Sequence, residues 1–302
     1  MSGRMLLRLS LAGLIVLTPL CGADQGSPAA TWAARAVSQY ISLPDITYFS
    51  AGNLELKLDV HRRRGLTGPQ PAVIYIHGGG WIGGSKGGAL SLLLPWFEMG
   101  FTIINVEYRL LRAAPAPAAV IDCLCALRFV AGRAQNYGID TTRLVISGES
   151  AGGHLALTTA MIPESAEMDK QCPGAPLPKI AAVVNFYGIT DVADLLEGPN
   201  QKSYAVSWIG NGADRQELAK RLSPLTYVRP GLPPILTIQG DADPIVPYSH
   251  SVRLQEALEK VNVPHQLVTI QGGKHGMFTG DEYVRIYSEI RTFLTKYNLL
   301  PK

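Results

Sequence analysis

The stretch Gly148-Glu149-Ser150-Ala151-Gly152 constrains this chain more than any other. It follows the apolar run Leu144-Val145-Ile146 and precedes the helix-forming His154-Leu155-Ala156-Leu157. A strand, a sharp turn and a helix in that order push a serine hydroxyl out at the top of a sheet. The turn leaves no room for side chains two residues before or after the serine, and glycine at both positions removes the clash. Alone the pattern is weak; three partners elsewhere in the chain give it weight.

The first partner is His77-Gly78-Gly79-Gly80-Trp81, directly after the apolar strand Ala72-Val73-Ile74-Tyr75-Ile76. Glycines after a buried strand let the backbone approach a ligand and aim bare N–H groups at it. Acyl transfer needs such donors for the oxyanion of its tetrahedral intermediate, and losing one costs roughly 2.7–4 kcal/mol in the barrier. A plain flexible turn is the alternative reading of a lone Gly triplet. The other two partners lie downstream. The strand Ile235-Leu236-Thr237-Ile238 runs into Gly240-Asp241-Ala242-Asp243-Pro244, and Leu267-Val268-Thr269-Ile270 into Gly272-Gly273-Lys274-His275-Gly276. An acid and a histidine at the carboxyl ends of two late strands meet the serine at one sheet edge. His275 would then take the Ser150 proton and an aspartate would hold the imidazole in its working tautomer. Asp243 is favoured for that role, because Pro244 biases it toward an extended conformation. Asp241, at the strand end, is expected to cap the loop through backbone N–H groups.

These motifs resemble the α/β-hydrolase esterases with an H-G-G-G-W loop, and among them the secreted feruloyl and acetyl esterase type, near the hormone-sensitive-lipase-like carboxylesterases. The resemblance runs from about residue 45 to the C-terminus and includes Gly83-Gly84-Ser85-Lys86, Val106-Glu107-Tyr108-Arg109-Leu110, Ser223-Pro224 and Gly240 through Val246. It implies oxyanion donors from the backbone of Gly79, Gly80 and Ala151, and no cofactor or metal. Trp81, standing after the loop, is expected to bind substrate by walling the acyl side. The chain departs from the family at Leu110-Leu111-Arg112-Ala113-Ala114, where relatives carry Ala-Pro-Glu or Ser-Pro-Glu. That segment is expected to lie away from the triad.

A coarse reading gives strands and helices in alternation. An antiparallel pair at 46–49 and 54–61 opens the fold. Strand 72–76, helix 87–99, strand 101–106, helix 117–134, strand 143–147 and helix 151–161 follow. The second half reads as strand 180–186, an irregular stretch 189–222, strand 235–239, helix 248–261, strand 265–270 and helix 281–297. This alternation predicts an α/β fold, a mostly parallel twisted sheet with helices on both faces and ligands at the strands' carboxyl ends. Residues 1–23 read as a secretory signal: Arg4 and Arg8, an apolar core too short for a membrane span, then Cys21-Gly22-Ala23. A lipoprotein anchor at Cys21 is disfavoured by the bulky Leu20 before it. Residues 24–40 read as a linker and 41–302 as the catalytic domain, with an insertion around 189–222 over the site. Tyr204, Trp208 and Ile209 in that insertion either line the pocket or pack it onto the sheet. A secreted or periplasmic location and no lasting membrane insertion follow.

At 302 residues with 47% hydrophobic content the chain can bury a large core. Net charge is +3, falling to about +1 once Arg4 and Arg8 leave with the signal, so nothing points to nucleic acid. Arg62-Arg63-Arg64 reads as a solvated hairpin end. Cys123 and Cys125, two apart on one helix, are poor partners for each other. One of them bridging Cys172 is an alternative to the favoured reading, simple buried thiols. His154 reads as a structural hydrogen-bond partner, His77 as a brace of the glycine loop, Glu149 as a group tuning the field beside the serine, and Asp191 and Asp194 as caps.

Three function classes follow. The first is a serine carboxylesterase acting on small or polysaccharide esters, short acyl groups such as acetyl or feruloyl. The second is a serine amidohydrolase of formamidase or peptidase type. The third is a binding protein on an inactive hydrolase scaffold. The intact triad and glycine loop argue against the third, and the secretory signal against a formamidase.

Overall fold

Val73-Ile74-Tyr75-Ile76 and Leu144-Val145-Ile146 are apolar at successive positions, which only a strand covered on both faces tolerates. In the computed structural model, which describes residues 27–301, both strands lie at the centre of an eight-stranded sheet. Its strands are β1 (Tyr40–Ala51), β2 (Leu54–Arg63), β3 (Gln70–Ile76), β4 (Thr102–Val106), β5 (Ile139–Glu149), β6 (Ala182–Phe186), β7 (Ile235–Gly240) and β8 (His265–Ile270), in the order β1-β2-β4-β3-β5-β6-β7-β8. The β1–β2 and β2–β4 pairs are antiparallel and the rest parallel. Register carries Ile76 opposite both Val106 and Gly148, so the ends of β3, β4 and β5 share one edge.

Side chains alternate across the sheet. Ile74, Ile76 and Ile146 join a core with α3 (Ala118–Gly132), α5 (Ala151–Met161) and α8 (Ser249–Lys260). Val73, Tyr75 and Val145 face a second core with α2 (Leu94–Glu98) and α9 (Gly280–Lys296). The sheet is therefore sandwiched between two helical layers, as the alternation of elements predicts. Three further helices are short: α4 (Ala134–Tyr137), α6 (Ser203–Ile209) and α7 (Arg215–Arg221), the last two inside the 189–222 stretch read as irregular.

Three expectations need correction. The 24–40 stretch read as a linker holds a helix, α1 (Pro28–Gln39), none of whose residues is buried. Its start was legible: the Ser27 hydroxyl accepts from the Ala30 N–H and Pro28 occupies the first turn, where its missing N–H costs nothing. The helix expected over 87–99 is instead a 3-10 turn at Leu90–Leu93 followed by α2. Gly87-Gly88 disfavour helix, and Pro95 is tolerated only in a first turn. The third concerns thiols: Cys125 and Cys172 are joined by a disulfide across 47 residues, leaving only Cys123 free, and buried, among the described residues. The bridge ties the excursion between α5 and β6 to α3, where Arg128 also holds Asp169 at 2.5 Å and the Ala175 carbonyl at 3.0 Å. The expected signal, residues 1–23, lies outside the described residues.

Candidate active site

Ser150 sits between β5 and α5 with φ 55° and ψ −120°, a conformation rare for a residue with a side chain. The glycines on either side of it make this geometry fit. A Cβ on Gly152 would lie 2.1 Å from the Ile76 carbonyl oxygen, and one on Gly148 2.4 Å from that of Gly152. The Ser150 N–H donates to the Phe186 carbonyl at 2.9 Å, pinning the turn to the end of β6.

The three residues expected to act together do meet. His275 Nε2 lies 2.9 Å from Ser150 Oγ, and its Nδ1 lies 2.7 Å from Asp243 Oδ2. The other Asp243 oxygen accepts from the Ile245 and Val246 N–H groups at 2.8 and 3.1 Å. Burial alone would raise the Asp243 carboxyl, but the His275 ring, and after it these N–H donors, hold it below the ordinary carboxylate range. Asp241 takes a different position: its Oδ1 accepts from the Gly272 N–H at 2.6 Å, capping the turn that leads to His275. The Tyr187 ring, with φ 40°, lies 4.6 Å centre to centre from the His275 imidazole and walls one side of the site.

The glycine loop folds back on itself, the Gly79 carbonyl accepting from Ile82 and Gly83 at 3.1 and 2.9 Å. Gly79 has φ 116° and Gly80 φ 60°, conformations that side chains rarely adopt. Both line a cleft of about 370 Å³ that also exposes Ser150 and His275. Ala151 opens α5 directly after the serine, so its N–H has no partner within the helix. The remaining walls are Glu149, Tyr187, Tyr204 and the half-exposed Ile82 and Ile245.

Trp81 does not wall this cleft, and its expected role in substrate binding is withdrawn. It is fully buried with φ 61°, its ring stacked 4.1 Å from that of Trp208 and its Nε1 donating to His154 Nδ1 at 3.2 Å. The positive φ turns the residue behind the loop instead of into the cleft. The insertion splits accordingly: Tyr204 reaches the cleft, while Trp208 and Ile209 pack inside. His154, whose Nε2 donates to the Leu222 carbonyl at 2.7 Å, is the structural histidine expected, and burial pushes it down to about 4. His77 braces the loop as expected: its Nδ1 lies 2.8 Å from the Gly78 carbonyl and its ring stacks on Tyr108. The 110–114 segment stays beside this loop, Leu111 N–H donating to the Trp81 carbonyl at 2.8 Å. Asp191 Oδ1 caps the turn at the Asp194 N–H (3.3 Å), and both carboxylates pair with Arg253. Glu149 does more than tune a field, since its two oxygens bond Tyr75 and Gly78. Sequence reasoning missed Tyr187, Ile82 and Ile245 as cleft residues; the available signal for Tyr187 was its place at the carboxyl end of β6.

A mostly parallel sheet sandwiched by helices, with a serine turn at the carboxyl end of β5, defines an α/β-hydrolase. The chain belongs to the BD-FAE family, whose model matches residues 58–258. It is 29% identical to esterase LipQ of Mycobacterium tuberculosis over 71% of this chain and 52% of LipQ. Against the probable carboxylic ester hydrolase LipM of the same organism it is 28% identical, over 81% of this chain and 58% of LipM. The chain thus spans about half the length of the curated relatives it matches. Among solved structures, a truncated carbohydrate esterase from gut microbiota superposes with TM-score 0.72 at 25% identity, covering 86% of this chain and 97% of that one. Butyrate-bound Thermogutta terrifontis esterase 2 superposes with TM-score 0.71 at 26% identity, covering 85% and 94%.

Proposed function

We propose that the chain is a serine carboxylesterase acting on short-chain acyl esters. The observation that carries this reading is the continuous hydrogen-bonded line from Ser150 Oγ through His275 to Asp243, opening into a cleft that Gly79 and Gly80 share. Ser150 Oγ attacks the ester carbonyl carbon while its proton passes to His275 Nε2. The carbonyl oxygen, now negative, sits against the N–H groups of Gly79, Gly80 and Ala151. Collapse breaks the bond to the alkoxy oxygen, which leaves with the proton from His275. Water repeats the sequence on the acyl-enzyme, releasing the acid and restoring Ser150. Asp243 holds the Nδ1–H tautomer and stabilises the imidazolium.

The cleft supports a short acyl group. An acyl chain that outgrows it leaves methylenes in water, each forgoing about 0.8 kcal/mol, or displaces packed side chains. The propionate- and butyrate-bound structures of the Thermogutta esterase support the same size range. As the natural substrate we propose acetyl groups on plant polysaccharide, a reading supported by the likeness to a carbohydrate esterase. Feruloyl, whose aromatic acyl group is larger than this size range, is the alternative that the xylan arm below tests. Export to the periplasm or beyond belongs to this proposal, and the Cys125–Cys172 bridge supports it, because disulfides persist in oxidising compartments. A series of aryl esters, run beside acetylated and feruloylated xylan, tests the reading. Acetyl and butyryl esters are expected to react fastest, with a steep fall beyond about eight carbons. Peak activity on long chains with a jump at the solubility limit would make the protein a lipase instead.

A further inference from the structure

Glu149 is the elbow residue whose side chain the acyl-enzyme chemistry leaves without a task. Its carboxylate bridges two elements. Oε2 accepts from the Tyr75 hydroxyl of β3 at 2.6 Å, and Oε1 accepts from the Gly78 N–H at 2.7 Å. Gly78 opens the glycine loop, and without a side chain its own dihedral preferences are weak. Its carbonyl is gripped from the other side by His77 Nδ1 at 2.8 Å, while the Tyr108 hydroxyl donates to the preceding His77 carbonyl at 3.0 Å. A peptide unit is planar, so holding the Gly78 carbonyl also sets the direction of the Gly79 N–H. Holding the Gly78 N–H as well removes the remaining rotation about its Cα. The two backbones already touch: a Cβ on Gly78 would lie 2.7 Å from the Glu149 carbonyl oxygen.

We propose that Glu149 is a positioning residue whose carboxylate straps the oxyanion loop to the serine elbow, fixing where the Gly79 and Gly80 amides stand relative to Ser150. The strap rests on the esterase reading of Ser150. Burial pushes the Glu149 carboxyl above its ordinary range, a cost that the hydrogen bonds from Tyr75 and Gly78 offset only while the loop is docked. A loop that drifts by even a fraction of an ångström weakens donors that matter most in the transition state, so the loss falls on kcat and not on substrate binding.

Glu149→Ala is expected to lower kcat on an aryl acetate about 10²-fold, the scale of one lost oxyanion donor, while KM moves less than about threefold. Glu149→Gln should recover kcat to within about fivefold, because its amide oxygen can still accept from Gly78 and its NH₂ can donate to the Tyr75 oxygen. Titration with an aryl phosphonate counts folded sites by its endpoint and reads the geometry by its rate. All variants should reach one site per chain, with the rate falling alongside kcat. If Glu149→Ala does not reach that endpoint, Tyr75→Phe carries the test: it frees one carboxylate oxygen and should lower kcat about tenfold at constant KM. Wild-type kcat in Glu149→Ala or in Tyr75→Phe would overturn the strap, as would a Glu149→Gln variant as impaired as the alanine one. Either result leaves the esterase reading standing as long as the wild type hydrolyses the ester and Ser150→Ala does not. A wild type that cleaves no ester would sink both.

Discussion

Two aspartates two residues apart do different work because their hydrogen bonds differ. Asp243 faces the His275 ring, and Asp241 faces the Gly272 N–H. Asp243→Asn presents an amide to His275 and favours the wrong tautomer, which is expected to lower kcat on the order of 10⁴-fold. Asp241→Asn keeps an acceptor for Gly272 and should mainly lower the unfolding midpoint. Kinetics and thermal unfolding of the two purified variants separate the roles, and a kinetic loss that followed Asp241 would reverse them. The triad positions were legible in the sequence because motif spacing and strand ends suffice to place them. Trp81 was not legible in this way, because the direction of its ring depends on one backbone dihedral, φ 61°, that no motif encodes. Tyr187 escaped notice for a related reason: it belongs to no motif and reaches His275 through an unusual φ of 40°.

At the scale of elements, α5 joins the serine to the structure behind it through His154. The ring accepts from Trp81, which follows the glycine loop, and donates to Leu222 at the end of the 189–222 insertion. The bond accepted from Trp81 needs the neutral Nε2–H form, although the bond to Leu222 would survive protonation, and burial lowers the ring from its ordinary 6.5 to about 4. The folded state thus resists a proton that the unfolded chain accepts, so the unfolded state binds more protons between those two values. Stability is full above about pH 6.5 and falls as pH drops toward 4, by up to roughly 3 kcal/mol from this group alone. Urea unfolding of the wild type and His154→Gln across that range checks the sign: the variant should start less stable and show the flatter profile. Parallel profiles would mean that His154 is not neutral in the fold. Apolar runs made β3 to β8 and the helices α3 and α5 readable, and the helical spacing of apolar residues such as Leu254 and Leu258 or Ile286 and Ile290 did so for α8 and α9. The short elements were not, because α2 is set by Pro95 and packing, and α6 and α7 by burial of Trp208 and Ala219 instead of by periodicity.

For the molecule as a whole, parallel pairing from β3 to β8 delivers Ser150, Asp243 and His275 to one edge from three separate strand ends. Ser150 and His275 are 125 residues apart and still lie within hydrogen-bonding distance. The Cys125–Cys172 bridge was legible only as an alternative to buried thiols, since spacing alone cannot say which of two cysteines on a helix faces the α5–β6 excursion. The site depends on the assembled sheet, and its chemistry depends on one oxygen at the top of β5. Replacing that oxygen is the most direct test: initial rates of aryl acetate hydrolysis by wild type and Ser150→Ala, with unfolding midpoints taken on the same samples. The account expects a folded Ser150→Ala protein with activity lower by several orders of magnitude, about 10⁶-fold at the limit seen when a serine nucleophile is removed. A folded variant that kept more than about a tenth of the wild-type rate would contradict it, because the acyl-enzyme route would then not run through Ser150.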